Sequence, residues 1–272
     1  MDKSTKRKTI GLALSGGGAR GFAHVGVVKA FEDHGIPIDC VAGTSAGSFV
    51  GAAIAAGLSA DKLREFGDGF NWFKISGLSY STRGLLSNAR MKSFIERHMD
   101  SLRFEDLKIP FAAVACDLET GSEVVLKGEG DVSEAVRASC AIPGVFAPVP
   151  DANGRLLVDG GVVSPVPVNA LKQFGPDIIV AVDLMGAGSS FKSIPRTPVG
   201  MFILSAMVLM RSISKEQHFS ADVVIIPEIG HIRPDQMGKS DELFELGLAA
   251  GEEKIPEIKR LMEVHQKALP SV

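Results

Sequence analysis

The sequence predicts an α/β fold with a mainly parallel central sheet flanked by helices. Strand-like apolar runs alternate with helical patterns along the chain. Residues 8–14 form an apolar run that passes through a glycine loop into a helical pattern and then into a second apolar run at 38–42. Such a β-loop-α-β unit pairs its strands in parallel with a right-handed crossover. At 272 residues, 45% hydrophobic and 22% charged, the chain can bury one large core. No repeat, low-complexity segment or Pro/Ser-rich linker divides it, so residues 8–268 read as a single domain.

The elements follow in order. Residues 22–34 carry a helical pattern, which Gly35-Ile36-Pro37 stops. The strand at 38–42 leads into a turn and a small-residue helix at 49–56, and another helical pattern spans 60–66. Residues 67–90 change character: glycines recur, and the only Trp (Trp72) and only Tyr (Tyr80) stand near Phe66, Phe70 and Phe73. That stretch reads either as a loop packed on the core or as an apolar flap over a greasy substrate. A helix is predicted at 91–99, strands at 111–116 and 123–126, and a helix capped by Asp131 that ends at Ile142-Pro143-Gly144. Strands at 156–158, 177–183 and 222–226 and a long helix at 198–219 follow. The tail, 240–268, is helical by its apolar spacing, with Pro256 opening a second segment.

Composition narrows the function. A net charge of −3 gives no broad basic surface, so nucleic acid is not an expected partner. Cys40, Cys116 and Cys140 sit in apolar surroundings without metal-ligand spacing and read as reduced core residues. The basic N-terminus is followed by an apolar run of only residues 10–14, too short for a signal peptide. The longest apolar stretch, 199–210, is broken by Gly200 and Ser205 and falls short of a membrane span. The expected location is the cytoplasm.

Two glycine motifs carry the chemistry. Gly43-Thr44-Ser45-Ala46-Gly47 is a G-x-S-x-G turn between strand and helix, a setting that exposes a strained serine. The helix N-terminus behind Ser45 favours developing negative charge. Gly16-x-Gly18-x-x-Gly21 also joins a strand to a helix and fits two readings. One is a dinucleotide loop with Asp39, eighteen residues after Gly21, on the ribose. The other is an oxyanion hole of bare backbone amides. A serine turn at the second strand favours acyl transfer, and the two turns share one crevice if both strands are parallel neighbours. The six histidines show no catalytic setting, whereas Asp159-Gly160-Gly161 follows a strand and offers a carboxylate base; its plain alternative is a hairpin turn.

Gly16-Gly17-Gly18-Ala19-Arg20-Gly21, Gly43-Thr44-Ser45-Ala46-Gly47 and Asp159-Gly160-Gly161, in that order, resemble the patatin-like phospholipase family, most closely its bacterial members related to neuropathy target esterase. Residues 141–144 and 165–167 also look like family segments, and Ser15 departs from the Asp usual in plant members. The resemblance covers about residues 8–185 and implies a three-layer patatin-like fold. It implies a Ser–Asp dyad without histidine, with Ser45 as nucleophile, Asp159 as base, and Gly16, Gly17 and Gly18 as oxyanion donors in a loop shaped by Arg20. It implies a phospholipid or lysophospholipid acyl-ester substrate, and no cofactor or metal is expected. The aromatic stretch, residues 66–80, is expected to make peripheral contact at the inner membrane face. Asp159 is then expected to be ionised across the neutral range. The competing readings are a Ser–Asp–His hydrolase using His231, a dinucleotide-binding protein, and a non-catalytic regulatory relative.

Overall fold

A computed structural model describes residues 7–67, 77–78, 84, 86–99, 102–187 and 197–263. Phe70, Trp72, Phe73 and Tyr80 of the aromatic stretch lie outside the described residues, as does His265.

The sheet is built on strands β1 (Ile10–Leu14) and β2 (Cys40–Thr44), which are parallel neighbours joined by helix α1 (Phe22–Asp33). All ten strand residues are buried, as expected where both faces of a parallel sheet are covered. Helices α2 (Ala46–Ala56) and α3 (Ala60–Gly67) follow, then a small hairpin of β3 (Gly77–Leu78) and β4 (Leu86–Ser87), and helix α4 (Ala89–Met99). Strand β5 (Phe111–Asp117) runs parallel to β2, and β6 (Glu123–Lys127) returns antiparallel to it. Helix α5 (Val132–Ser139) is capped by Asp131, whose carboxylate accepts from the amides of Ser133 and Glu134. Strands β7 (Val149–Pro150) and β8 (Leu156–Asp159) are antiparallel. Helix α6 (Val168–Lys172), strand β9 (Ile178–Val182), helix α7 (Pro198–Gln217), strand β10 (Val223–Ile225) and helix α8 (Ser240–Glu263) complete the described chain. The strand order is β10-β9-β1-β2-β5-β8-β7, with β6 also on β5.

Alternation along the strands makes two cores. Leu12, Val41 and Val180 join the larger one, with residues of α1, α2 and α8; Ala13, Ala42 and Ala181 face the smaller one, with Val168, Ala170 and Leu171 of α6. Helices α1 and α8 cross at backbone contact. A Cβ on Gly26 would strike the Phe244 carbonyl, and one on Gly247 the Ala23 carbonyl. Helix α8 is one helix through Pro256, not two segments. An interior proline costs about 3 kcal/mol, but the buried stripe runs through Gly251 and Ile255 before it to Ile258 after it. Helix α2 begins at Ala46, three residues before the position expected from sequence, because the small residues after Ser45 already belong to its first turn.

Strand β5 brings two other strand ends together. Strand β2 pairs with its residues Phe111–Val114, and β8 pairs with Ala115–Asp117. Strand β6 lies along Ala112–Cys116 of the same strand. Each β5 residue can hold one neighbour per edge, so β2 and β8 share one edge and meet end to end. Thr44 stands opposite Val114 and Asp159 opposite Ala115. The sequence suggests a carboxylate at a strand end; it is the end of an antiparallel strand arriving from the other direction.

Candidate active site

Ser45 is the only non-glycine among the described residues with positive φ, at φ 52° and ψ −122°. The sharp turn requires its glycines. A Cβ on Gly43 would meet the Gly47 carbonyl, and one on Gly47 the Leu14 carbonyl. Local hydrogen bonds fix the serine: its amide donates to Ser139 Oγ at 2.9 Å, and Ser139 Oγ donates to the Val114 carbonyl at 2.5 Å. The Ser48 hydroxyl donates to the Ser45 carbonyl at 2.6 Å. Ser139 thereby bridges the place on β5 where β2 stops.

Asp159 is buried at the end of β8. Its amide donates to the Ala141 carbonyl at 2.9 Å, and Oδ1 accepts from the Gly161 amide at 2.8 Å. Asp159-Gly160-Gly161 is thus the capped start of a short helical turn at Gly160–Val162 and not a hairpin. Gly160 packs on the Val114 carbonyl, where no Cβ fits. Burial pushes the Asp159 carboxyl up to about 6, while the Ser45 side chain and the Gly161 amide pull the other way. The carboxylate is therefore ionised only above about pH 6, a narrower range than expected from sequence.

The glycine loop lies directly over the serine: a Cβ on Gly16 would stand 3.4 Å from Ser45 Cβ. The loop amides are not equivalent. Gly16 N–H donates to the Pro165 carbonyl, Ala19 N–H to the Pro234 carbonyl and Arg20 N–H to the Gly17 carbonyl. The amides of Gly17 and Gly18 have no acceptor among the described residues. Gly16, expected as a donor, is spent on the loop's own anchoring. Gly18 has φ +58°, and a Cβ there would stand 2.6 Å from the Pro234 oxygen. Gly21 packs on Ala46, its would-be Cβ 3.0 Å from that methyl group, so loop and elbow touch.

Arg20 is buried. Its Nε donates to the Ile232 carbonyl at 2.7 Å and one Nη to the Leu184 carbonyl at 3.2 Å. Burial lowers its pKa to about 10. Fully buried His24, whose role the sequence did not reveal, places Nε2 2.8 Å from the Ser15 carbonyl. Burial lowers His24 to about 4, so the neutral ring donates from Nε2 and leaves Nδ1 without a partner among the described residues. Next to it, fully buried Asp183 accepts from the Met185 amide, Ser214 and His218, at 2.8, 2.9 and 2.8 Å. Burial works to raise the Asp183 carboxyl, but these hydrogen bonds bring it below the ordinary value.

The competing site residues lie elsewhere. Asp39 precedes β2, at the end of the sheet opposite the glycine loop, and is held by Arg7 and the Ile10 amide. It cannot serve a nucleotide bound at that loop. His231 pairs with Glu242 on the surface. Cys140 lies near Ser48 and Asp159, but burial first and the Asp159 charge second raise its thiol, which keeps it protonated.

An apolar pocket opens beside the serine. It is lined by Gly18, Gly21, Phe22, Ala46, Phe49 and Cys140, with side chains from α3 and α4 behind them. It starts at Ala46, immediately after Ser45.

The family model described as Patatin-like phospholipase matches residues 12–172. An uncharacterized NTE family protein of Mycobacterium tuberculosis is 37% identical over 187 residues, 65% of this chain and 49% of the relative. The chain thus spans about half the length of that relative. Lysophospholipase nte1 of Aspergillus fumigatus is 29% identical over 284 residues, 93% of this chain and 18% of the relative. Among solved structures, VipD from Legionella pneumophila has the same fold, with TM-score 0.63 at 15% identity over 96% of this chain and 67% of VipD. With more than half of its length matched by that model, and with serine turn, glycine loop and Asp-Gly-Gly turn gathered at one end of the sheet, the chain belongs to the patatin-like phospholipase family.

Proposed function

We propose that this protein hydrolyses fatty-acyl esters of phospholipids or lysophospholipids with a Ser45–Asp159 dyad. The observation that carries the reading is the meeting of β2 and β8 on one edge of β5, which sets the two residues against each other below free loop amides. Asp159 takes the Ser45 proton as Oγ bonds to the ester carbonyl carbon. The amides of Gly17 and Gly18 hold the oxyanion. The C–O bond to the alcohol then breaks, and Asp159 returns the proton to the leaving oxygen. Water deprotonated by Asp159 attacks the acyl-serine and releases the fatty acid. The apolar pocket at Ala46 takes the acyl chain, and the relative named as a lysophospholipase supports single-chain lipids among the substrates.

Intact mass after treatment with a fluorophosphonate tests the assignment. One adduct is expected on the parent chain and none on Ser45→Ala, which also loses turnover of p-nitrophenyl esters with an unchanged circular dichroism spectrum. Retained turnover would overturn the nucleophile, and an unlabelled parent would identify a non-catalytic relative.

A further inference from the structure

Helix α7 turns an apolar stripe to solvent. Met201, Val208 and Leu209 are 44%, 61% and 66% exposed, and Ser205 and Ser212 continue the same face. Just beyond the helix, Phe219 is 92% exposed. The stripe's charge pattern is one-sided. No acidic residue occurs from residue 184 to residue 215, and the first, Glu216, stands at the helix end. Arg211 and Lys215, one turn apart beside the stripe, have no carboxylate partner among the described residues, and Arg211 Nε is buried there without an acceptor. The opposite face belongs to the site's framework: the Met210 side chain packs against Gly161, and buried Ser214 holds Asp183.

A second copy would fit this face poorly. Two-fold pairing sets a patch against itself, so the two cations would meet cations with only the terminal Glu216 to answer them. A bilayer supplies both needs, hydrocarbon for the stripe and phosphates at the level of the cations. We propose that α7 is an interfacial helix lying on an anionic phospholipid bilayer, with Val208 and Leu209 among the acyl chains and Arg211 and Lys215 on the headgroup phosphates. This rests on the reading of the substrate as a membrane lipid.

Vesicle flotation of the Ser45→Ala chain tests this without hydrolysis. Flotation is expected with phosphatidylglycerol–phosphatidylcholine vesicles and much less with phosphatidylcholine alone. Adding Val208→Asp and Leu209→Asp should lower the bound fraction by at least about tenfold, and Arg211→Gln with Lys215→Gln should abolish the preference for anionic vesicles. In the chain with Ser45 intact, the two Asp substitutions should leave melting temperature and turnover of a soluble short-chain ester unchanged. Absence of flotation, or equal flotation of the Asp variant, would overturn the proposal. So would a vesicle-free dimer that the Asp substitutions dissociate, because the face would then join copies of the chain. A failure of ester turnover bears on the dyad alone, since flotation is read on a chain without Ser45.

Discussion

The carboxyl of Asp159 sets two opposing demands on one residue. As the proposed base it must be ionised, so turnover should rise with pH through about 6 and fall away below it. A histidine base would give a limb at nearly the same pH, so the profile alone does not name the base; substitutions do. Asp159→Asn should reduce turnover by about 10²–10⁴-fold, while His218→Gln and His231→Gln stay within a few-fold of the parent at saturating soluble ester. A matching loss in either histidine variant would make that histidine the base. Stability runs the other way. The folded carboxyl titrates near 6 and the unfolded one at its ordinary 3.8, so the native state binds the proton more tightly. Stability from this group is complete below the unfolded value and declines as pH rises to about 6. Asp159→Asn should therefore be more stable than the parent at pH 8, by up to about 3 kcal/mol, and equal to it in strong acid. Urea denaturation at the two pH values measures this. A parent more stable than the variant at pH 8 would show that the carboxylate is stabilised in place, contrary to its burial.

Among the elements, what could be read from sequence and what could not divide along physical lines. Strands β1 and β2 were legible because both faces are buried, which leaves uninterrupted apolar runs. The serine turn was legible because Gly43 and Gly47 have no room for a Cβ. The direction of β8 was not, because a short buried strand reads alike parallel or antiparallel, and its pairing on β5 depends on residues at least forty positions away. The spending of the Gly16 amide on Pro165, and the anchoring of Arg20 on Leu184 and Ile232, are likewise products of tertiary structure. The α1–α8 crossing belongs to the same class, since Gly26 and Gly247 look like weak helix residues until the partner backbone is in place. Gly247→Ala should lower stability by about 1–3 kcal/mol in urea denaturation while leaving soluble-ester turnover per folded molecule intact. An unchanged denaturation midpoint would mean that the crossing yields without cost.

Across the whole molecule, the family match ends at residue 172 but the fold does not. The glycine loop is clasped by residues far along the chain: Gly18 and Ala19 on Pro234, Arg20 on Ile232. Arg20→Ala should therefore lower kcat, with KM for a soluble ester nearly unchanged, because the loop amides lose their fixed aim. A raised KM with kcat intact would assign Arg20 to substrate binding instead. The clasp also orders events during synthesis. The ribosome releases Ser45 and its turn long before it makes Pro234, 189 residues later. At about 5–20 residues per second that gap lasts roughly 10–40 s. Throughout that interval the nascent polypeptide has its serine turn without the residues that clasp the glycine loop. On the dyad proposed above, hydrolytic competence would arrive only after residue 234 has been made and folded back onto the loop.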